Sequence, residues 1–165
     1  MAQVFLGLGS NIDAEQNLAA GIARLSSCYE LQQVSPWYRS PAMGFEGPDF
    51  INLVVEIRCD SSPEQLAAEL KQIETDFGRA PDAVKYSSRA LDIDILLFDD
   101  QVGEFAGLQL PRADIRQFSF VLRPLLDIFP QGVDPSTGAT LASLWPDVAA
   151  QPLYPVRPVQ VHSAG

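Results

Sequence analysis

The sequence contains a single histidine, His162, in a terminal stretch of Pro, Val, Ser, Ala and Gly. That scarcity argues against Ser-His-Asp triads, HExxH zinc sites and histidine acid–base chemistry. Any reaction must run on carboxylates, cations, a metal and positioning. Cysteine is as sparse: Cys28 and Cys59 are too few for a disulfide scaffold, lack metal-ligand spacing, and read as reduced, structural thiols. No apolar run approaches the roughly 18 residues of a membrane span. The opening MAQVFLGLGS has no basic flank before its apolar residues, so a cytoplasmic location is expected. Positive charge is also short. A net charge of −10 disfavours nucleic acid and anionic membrane surfaces as partners, and the absence of an aromatic RNP pattern disfavours an RNA-binding module.

What is present suits one folded unit. The chain has 165 residues, 47% of them hydrophobic and 19% charged, which predicts a single domain over 1–165, with an irregular, proline-rich tail from about 146. The basic residues are unevenly spread. Seven of the eleven (Lys71, Arg79, Lys85, Arg89, Arg112, Arg116, Arg123) fall between 71 and 123, which marks that region for an anionic partner.

Residues 3 to 9 read as a buried strand leading through Gly9, Ser10 and Asn11 into a helix with Leu18, Ile22 and Leu25 on one face. SPAMGFEGP is a loop by its prolines and glycines. DFINLVVEIR alternates, with Ile51, Leu53, Val55 and Ile57 on the core side and Phe50, Asn52, Val54 and Glu56 on the other. A helix follows, with Ser62 as N-cap, Pro63 at its first position, Gln65 completing a capping box, Leu66, Leu70, Ile73 and Phe77 as buried stripe, and Gly78 as stop. ALDIDILLF is a further strand, and FVLRPLLDIF is ambiguous between strand and helix. This order predicts an α+β sandwich of the ferredoxin-like type, mostly antiparallel, with helices on one face of the sheet and the other face open to ligands.

Asp92 and Asp94 stand two apart on that strand. Both side chains therefore share a face, with roughly 6.5 to 7 Å between Cα atoms. Paired carboxylates there suit a divalent cation, and two magnesium ions bridging a polyphosphate would need such shared oxygens. A solvated strand face has the same composition. Lys85 and Arg89 precede the acids, and Arg112, Arg116 and Arg123 follow; cations beside a metal suit phosphate oxygens, and ordinary salt bridges would use them equally well. Asn52 offers a donor and an acceptor for the amino-oxo edge of a pterin or guanine, and Phe50 beside it offers a stacking face. GLGSN lacks the lysine and third glycine of the nucleotide fingerprints and reads as a tight turn before a helix.

Taken together, GLGSN, YRSPAMG, DFIN, IETDFGR, RALDIDILLF, LP and FVLRPL resemble, in order and spacing, the 6-hydroxymethyl-7,8-dihydropterin pyrophosphokinase family over about residues 3 to 135. The resemblance implies a ferredoxin-like fold and transfer of a pyrophosphoryl group from ATP to the pterin hydroxymethyl group, with release of AMP, in folate synthesis. It implies two magnesium ions on Asp92 and Asp94, phosphate contact by Arg89, and pterin hydrogen bonds at Asn52. Phe50 and Phe120 resemble the aromatic pair around the ring, with Ser40, Pro41 and Met43 as pocket wall. Glu74, Arg79, Lys85 and Arg112 would lie on the nucleotide side. A monomer or weak homodimer is expected.

The departures from the family pattern fall on the nucleotide side. Tyr86, Ser87, Ser88 and Arg89 replace an R/W-G-P-R run, Pro81 stands for an arginine, Arg112 for the histidine of P-H-x, and Phe118 for another arginine. Two readings follow: a working pyrophosphokinase, and a pterin-binding paralogue with weak or no kinase activity, or with a different donor or pterin.

Overall fold

A computed structural model describes residues 1–78 and 89–156. Among these described residues, eight strands and five α-helices occur in the order β1 (Ala2–Ser10), α1 (Ala14–Cys28), β2 (Glu30–Val34), β3 (Trp37–Ser40), β4 (Phe50–Cys59), α2 (Pro63–Asp76), β5 (Asp92–Phe98), β6 (Gly103–Phe105), β7 (Leu108–Leu110), α3 (Asp114–Gln117), α4 (Ser119–Ile128), α5 (Trp145–Val148) and β8 (Tyr154–Val156). The main sheet runs β5-β1-β4-β3-β8, and β2 also pairs with β4. Every strand pairing in it is antiparallel.

Period-two alternation builds two cores from one sheet. Val4, Leu6 and Leu8 of β1, Leu53, Val55 and Ile57 of β4, and Ile93 and Ile95 of β5 pack on the face that carries Leu18 and Leu25 of α1 and Leu66, Leu70 and Ile73 of α2. α2 begins as expected: the Ser62 hydroxyl accepts the Gln65 N–H at 3.1 Å, Pro63 opens the helix, and Gly78 ends the turn at φ +101°. A glutamate of this helix, Glu74, is buried, and its carboxylate accepts the Ile93 N–H at 2.7 Å.

The opposite face is not left bare. FVLRPLLDIF is a helix, α4, and its Leu122 and Leu125 pack with Phe5, Val54, Leu96 and Leu97 in a second core. The expectation of helices on one face alone is therefore corrected, while the antiparallel α+β class stands. A bulge between Phe5 and Leu6 shifts the β1–β5 register, which lets both Leu96 and Leu97 join the second core. The tail also departs from the expected irregularity: α5 forms at 145–148, and β8 adds to the sheet beside β3. Among the described residues no helix is long and apolar enough to cross a membrane.

Candidate functional site

Near the C-terminal end of β1 the second face opens into a cleft of about 340 Å³. Its floor follows from the alternation of LGLG at positions 6 to 9: Leu6 and Leu8 point into the first core, and Gly7 and Gly9 line the cleft. On one side Gly9 pairs with Asn52 of β4, and on the other with Asp92 of β5, while Gly7 pairs with Asp94. Asn52 and Asp92 thus flank a side-chain-free strip. Two strand spacings separate their backbones, roughly 9.5 Å. A Cβ on Gly9 would meet Asn52 Nδ2 at 2.6 Å, so the bare α-carbon is what lets the amide lie flat over the strip.

Aromatic rings and polar termini complete the cleft. Phe50 meets Phe45 edge-on, with centroids 6.4 Å apart. Across the cleft Phe118 stacks on Phe120 at 4.8 Å and 17°. Ser40, Pro41 and Met43 form the adjoining wall. Asn52 Oδ1 is buried and accepts no hydrogen bond among the described residues. A buried acceptor left so is costly unless a ligand meets it.

The acidic side is laced with cations. Arg89, 7% exposed, brings Nε within 3.5 Å of Asp92 Oδ1. Arg112 reaches Asp94 Oδ1 at 3.6 Å and Asp114 Oδ2 at 3.3 Å. Burial works against the Arg112 charge, but Asp94 and Asp114 outweigh it and hold the guanidinium above its ordinary value. A buried latch fixes Arg89 in turn: the Asn11 carboxamide accepts the Arg89 N–H at 2.7 Å.

Ten of the residues singled out from sequence line this cleft: Ser40, Pro41, Met43, Phe50, Asn52, Arg89, Asp92, Asp94, Arg112 and Phe120. Glu74 does not. It lies on the α2 face of the sheet, where its carboxylate accepts the Ile93 N–H of β5. Arg79 and Lys85 lie outside the described residues. Arg116 pairs with Asp134, and Arg123 pairs with Asp127 and covers the Trp145 ring at 4.9 Å; neither lines the cleft. Sequence reasoning missed Gly7, Phe45, Asp114 and Gln117 as lining residues. The period of β1 could have revealed the glycine strip; nothing local marks the other three.

The model of the 7,8-dihydro-6-hydroxymethylpterin-pyrophosphokinase (HPPK) family matches residues 5–130. A 2-amino-4-hydroxy-6-hydroxymethyldihydropteridine pyrophosphokinase of Synechocystis is 38% identical over 156 residues, 93% of this chain and 80% of the relative. A protein of the same name from Aquifex aeolicus is 33% identical over 92% of this chain and 96% of its own length. Among solved structures, the Plasmodium falciparum HPPK-DHPS with STZ-DHP superposes with a TM-score of 0.69 at 13% identity, over 88% of this chain and 43% of that one. That likeness concerns the fold, and the chain spans less than half of that longer structure. By family match and by relatives aligned over 80% and 96% of their own length, the chain belongs to the 7,8-dihydro-6-hydroxymethylpterin-pyrophosphokinase family.

Proposed function

We infer that this protein transfers pyrophosphate from ATP to 6-hydroxymethyl-7,8-dihydropterin, releasing AMP, as a step of folate synthesis. One observation carries the reading: Asn52 and the Asp92/Asp94 pair flank the same glycine strip in one cleft. The amide would pair with the amino-oxo edge of the pterin through its unused oxygen. Phe50 and Phe120 would cover the ring faces, and the hydroxymethyl group would then point along the strip toward the carboxylates.

The donor set fits magnesium. Asp92 and Asp94 supply hard oxygens, with side chains 29% and 41% exposed, and magnesium is commonly held by one or two carboxylates plus substrate phosphates. We take these two residues to hold it, as two ions with the nucleotide. When bound, the metal would neutralise charge developing on the transferred group. Arg89 would steady a phosphate from its buried seat, and Arg112 would meet another at the rim. No side chain need act as general base, since alignment and charge stabilisation carry most of the acceleration in such transfers.

The replacements at Pro81, Ser87, Ser88 and Phe118 argue for weaker ATP binding than in a typical member, and for slow turnover. We take the enzyme to act as a single domain, a monomer or weak homodimer, in the cytoplasm. The test is calorimetry with the pterin, a non-hydrolysable ATP analogue and magnesium, separately and together, alongside an assay for AMP. Asp92→Asn and Asp94→Asn should each cut magnesium-dependent AMP formation at least about 100-fold while the protein stays folded. Pterin binding with no AMP formed at any magnesium concentration would overturn the reading.

A further inference from the structure

Arg112 serves two anions at once. Its backbone N–H donates to the Leu96 carbonyl at 3.0 Å, which hangs the side chain beside β5. One terminal nitrogen lies 3.6 Å from Asp94 and Nε lies 3.3 Å from Asp114. Nε is buried, and its 3.3 Å approach to Asp114 makes that carboxylate the nearer of the two anions. Asp114 opens α3, and its own side chain is 29% exposed in the cleft.

These two carboxylates have unequal prospects. In the reading above, Asp94 takes a metal, and a carboxylate oxygen facing a divalent cation has less to offer a guanidinium. Without a second anion, Arg112 would lose its anchor at the moment the nucleotide arrives, and a long side chain would have to be ordered again. We propose that Asp114 is a positioning residue that keeps the Arg112 guanidinium aimed into the cleft, where it meets a phosphate of the nucleotide. The proposal rests on the reading of Arg112 as a phosphate contact.

The sign of the effect makes the proposal testable. A bare negative charge in an anion-binding cleft repels its ligand, so on Coulomb grounds alone Asp114→Asn should tighten nucleotide binding. Positioning predicts the reverse. In the full-length protein with magnesium, Asp114→Asn should weaken a non-hydrolysable ATP analogue by about three- to tenfold in calorimetry and raise KM for ATP equally. Its kcat and pterin affinity should stay as in wild type. Asp114→Glu should recover most of the loss, and Asp114→Asn added to Arg112→Ala should have no further effect. Tighter or unchanged analogue binding in Asp114→Asn, while Arg112→Ala weakens it, overturns this proposal alone. Arg112→Ala without effect on the analogue removes the phosphate contact and the proposal together. Equal loss of pterin and nucleotide affinity in Asp114→Asn, with a lower Tm, would make the residue structural and also overturn it.

Discussion

Asn11 and Arg89 are tied by a reciprocal pair of hydrogen bonds, the carboxamide oxygen of Asn11 accepting the Arg89 N–H at 2.7 Å and the Asn11 N–H donating to the Arg89 carbonyl at 3.0 Å. Asn11 is 4% exposed. Its Nδ2 also donates to the Pro48 carbonyl at 3.2 Å. One amide therefore joins the end of β1, the loop that carries Pro41, Met43 and Phe45, and the segment that delivers Arg89 to Asp92.

Asn11→Ala removes the buried acceptor of the Arg89 N–H, while the Pro48 carbonyl, on an exposed residue, is left to water. Unmet buried groups cost about 1 to 3 kcal/mol, so urea unfolding should show a loss of that order. Calorimetry should show weaker nucleotide binding as Arg89 loses its fixed seat. Asn11→Asp keeps the acceptor for the Arg89 N–H but sets a buried carboxylate oxygen against the Pro48 carbonyl, so it should recover nucleotide binding relative to Ala without recovering stability. Nucleotide binding as weak as in Ala would mean that the Arg89 bond does not seat the arginine.

Gly9→Ala probes the glycine strip that the proposed function sets under the pterin. The new methyl would lie 2.6 Å from Asn52 Nδ2, closer than any real contact, so the amide must swing away. Pterin affinity should drop by at least about tenfold, comparable to the 1 to 3 kcal/mol expected for Asn52→Ala. Combining the two substitutions should cost little more than one, because the methyl acts through the amide. Full additivity would show that Gly9 matters for another reason.

Much of this arrangement was legible because period two is a strong signal. DFIN, DID and the LGLG run each announce which residues share a face, so Asp92 and Asp94 could be paired and Asn52 set beside Phe50 before any fold was known, and the family resemblance joined the two sets. Glu74 was not legible: its glutamate stands in a helix whose position over β5 depends on tertiary packing, and only that packing turns it toward the Ile93 N–H. FVLRPLLDIF was ambiguous because nearly every residue is apolar, and Pro124 within α4 obscured the helical reading further. Asn11 looked like turn chemistry, since its partner Arg89 lies 78 residues away.

Acid should expose a second buried tie. Asp134, 2% exposed, accepts from the Ser136 N–H at 2.8 Å and from its hydroxyl at 2.6 Å, and pairs with Arg116. Burial pushes its carboxyl up, but the Ser136 donors and Arg116 outweigh burial and hold it below the usual carboxylate value. A folded value below the unfolded one means stability that is present above about pH 4 and lost as pH falls through the folded value. Asp134→Asn should be less stable at pH 7 and should lose less between pH 5 and pH 2, measured by urea midpoints. A parallel pH dependence in both proteins would show that other carboxylates set the acid limb.

Phe118 offers the sharpest trade between the two substrates. Its ring stacks on Phe120 at the position where the family resemblance implies an arginine, so the chain holds a ring pair in place of a phosphate cation. Phe118→Arg would break a stacked pair worth about 0.5 to 1.5 kcal/mol and supply a charge-assisted contact worth about 1.5 to 3 kcal/mol. At 1.4 kcal/mol per decade, ATP-analogue affinity should rise by roughly 10- to 100-fold, while pterin affinity falls by roughly 2- to 10-fold as Phe120 loses its backing. Calorimetry with each ligand separately would resolve the two effects. If both affinities fall, the ring pair shapes the whole cleft; if neither moves, Phe118 faces neither ligand and the weakened-ATP reading must rest on residues 81 to 88.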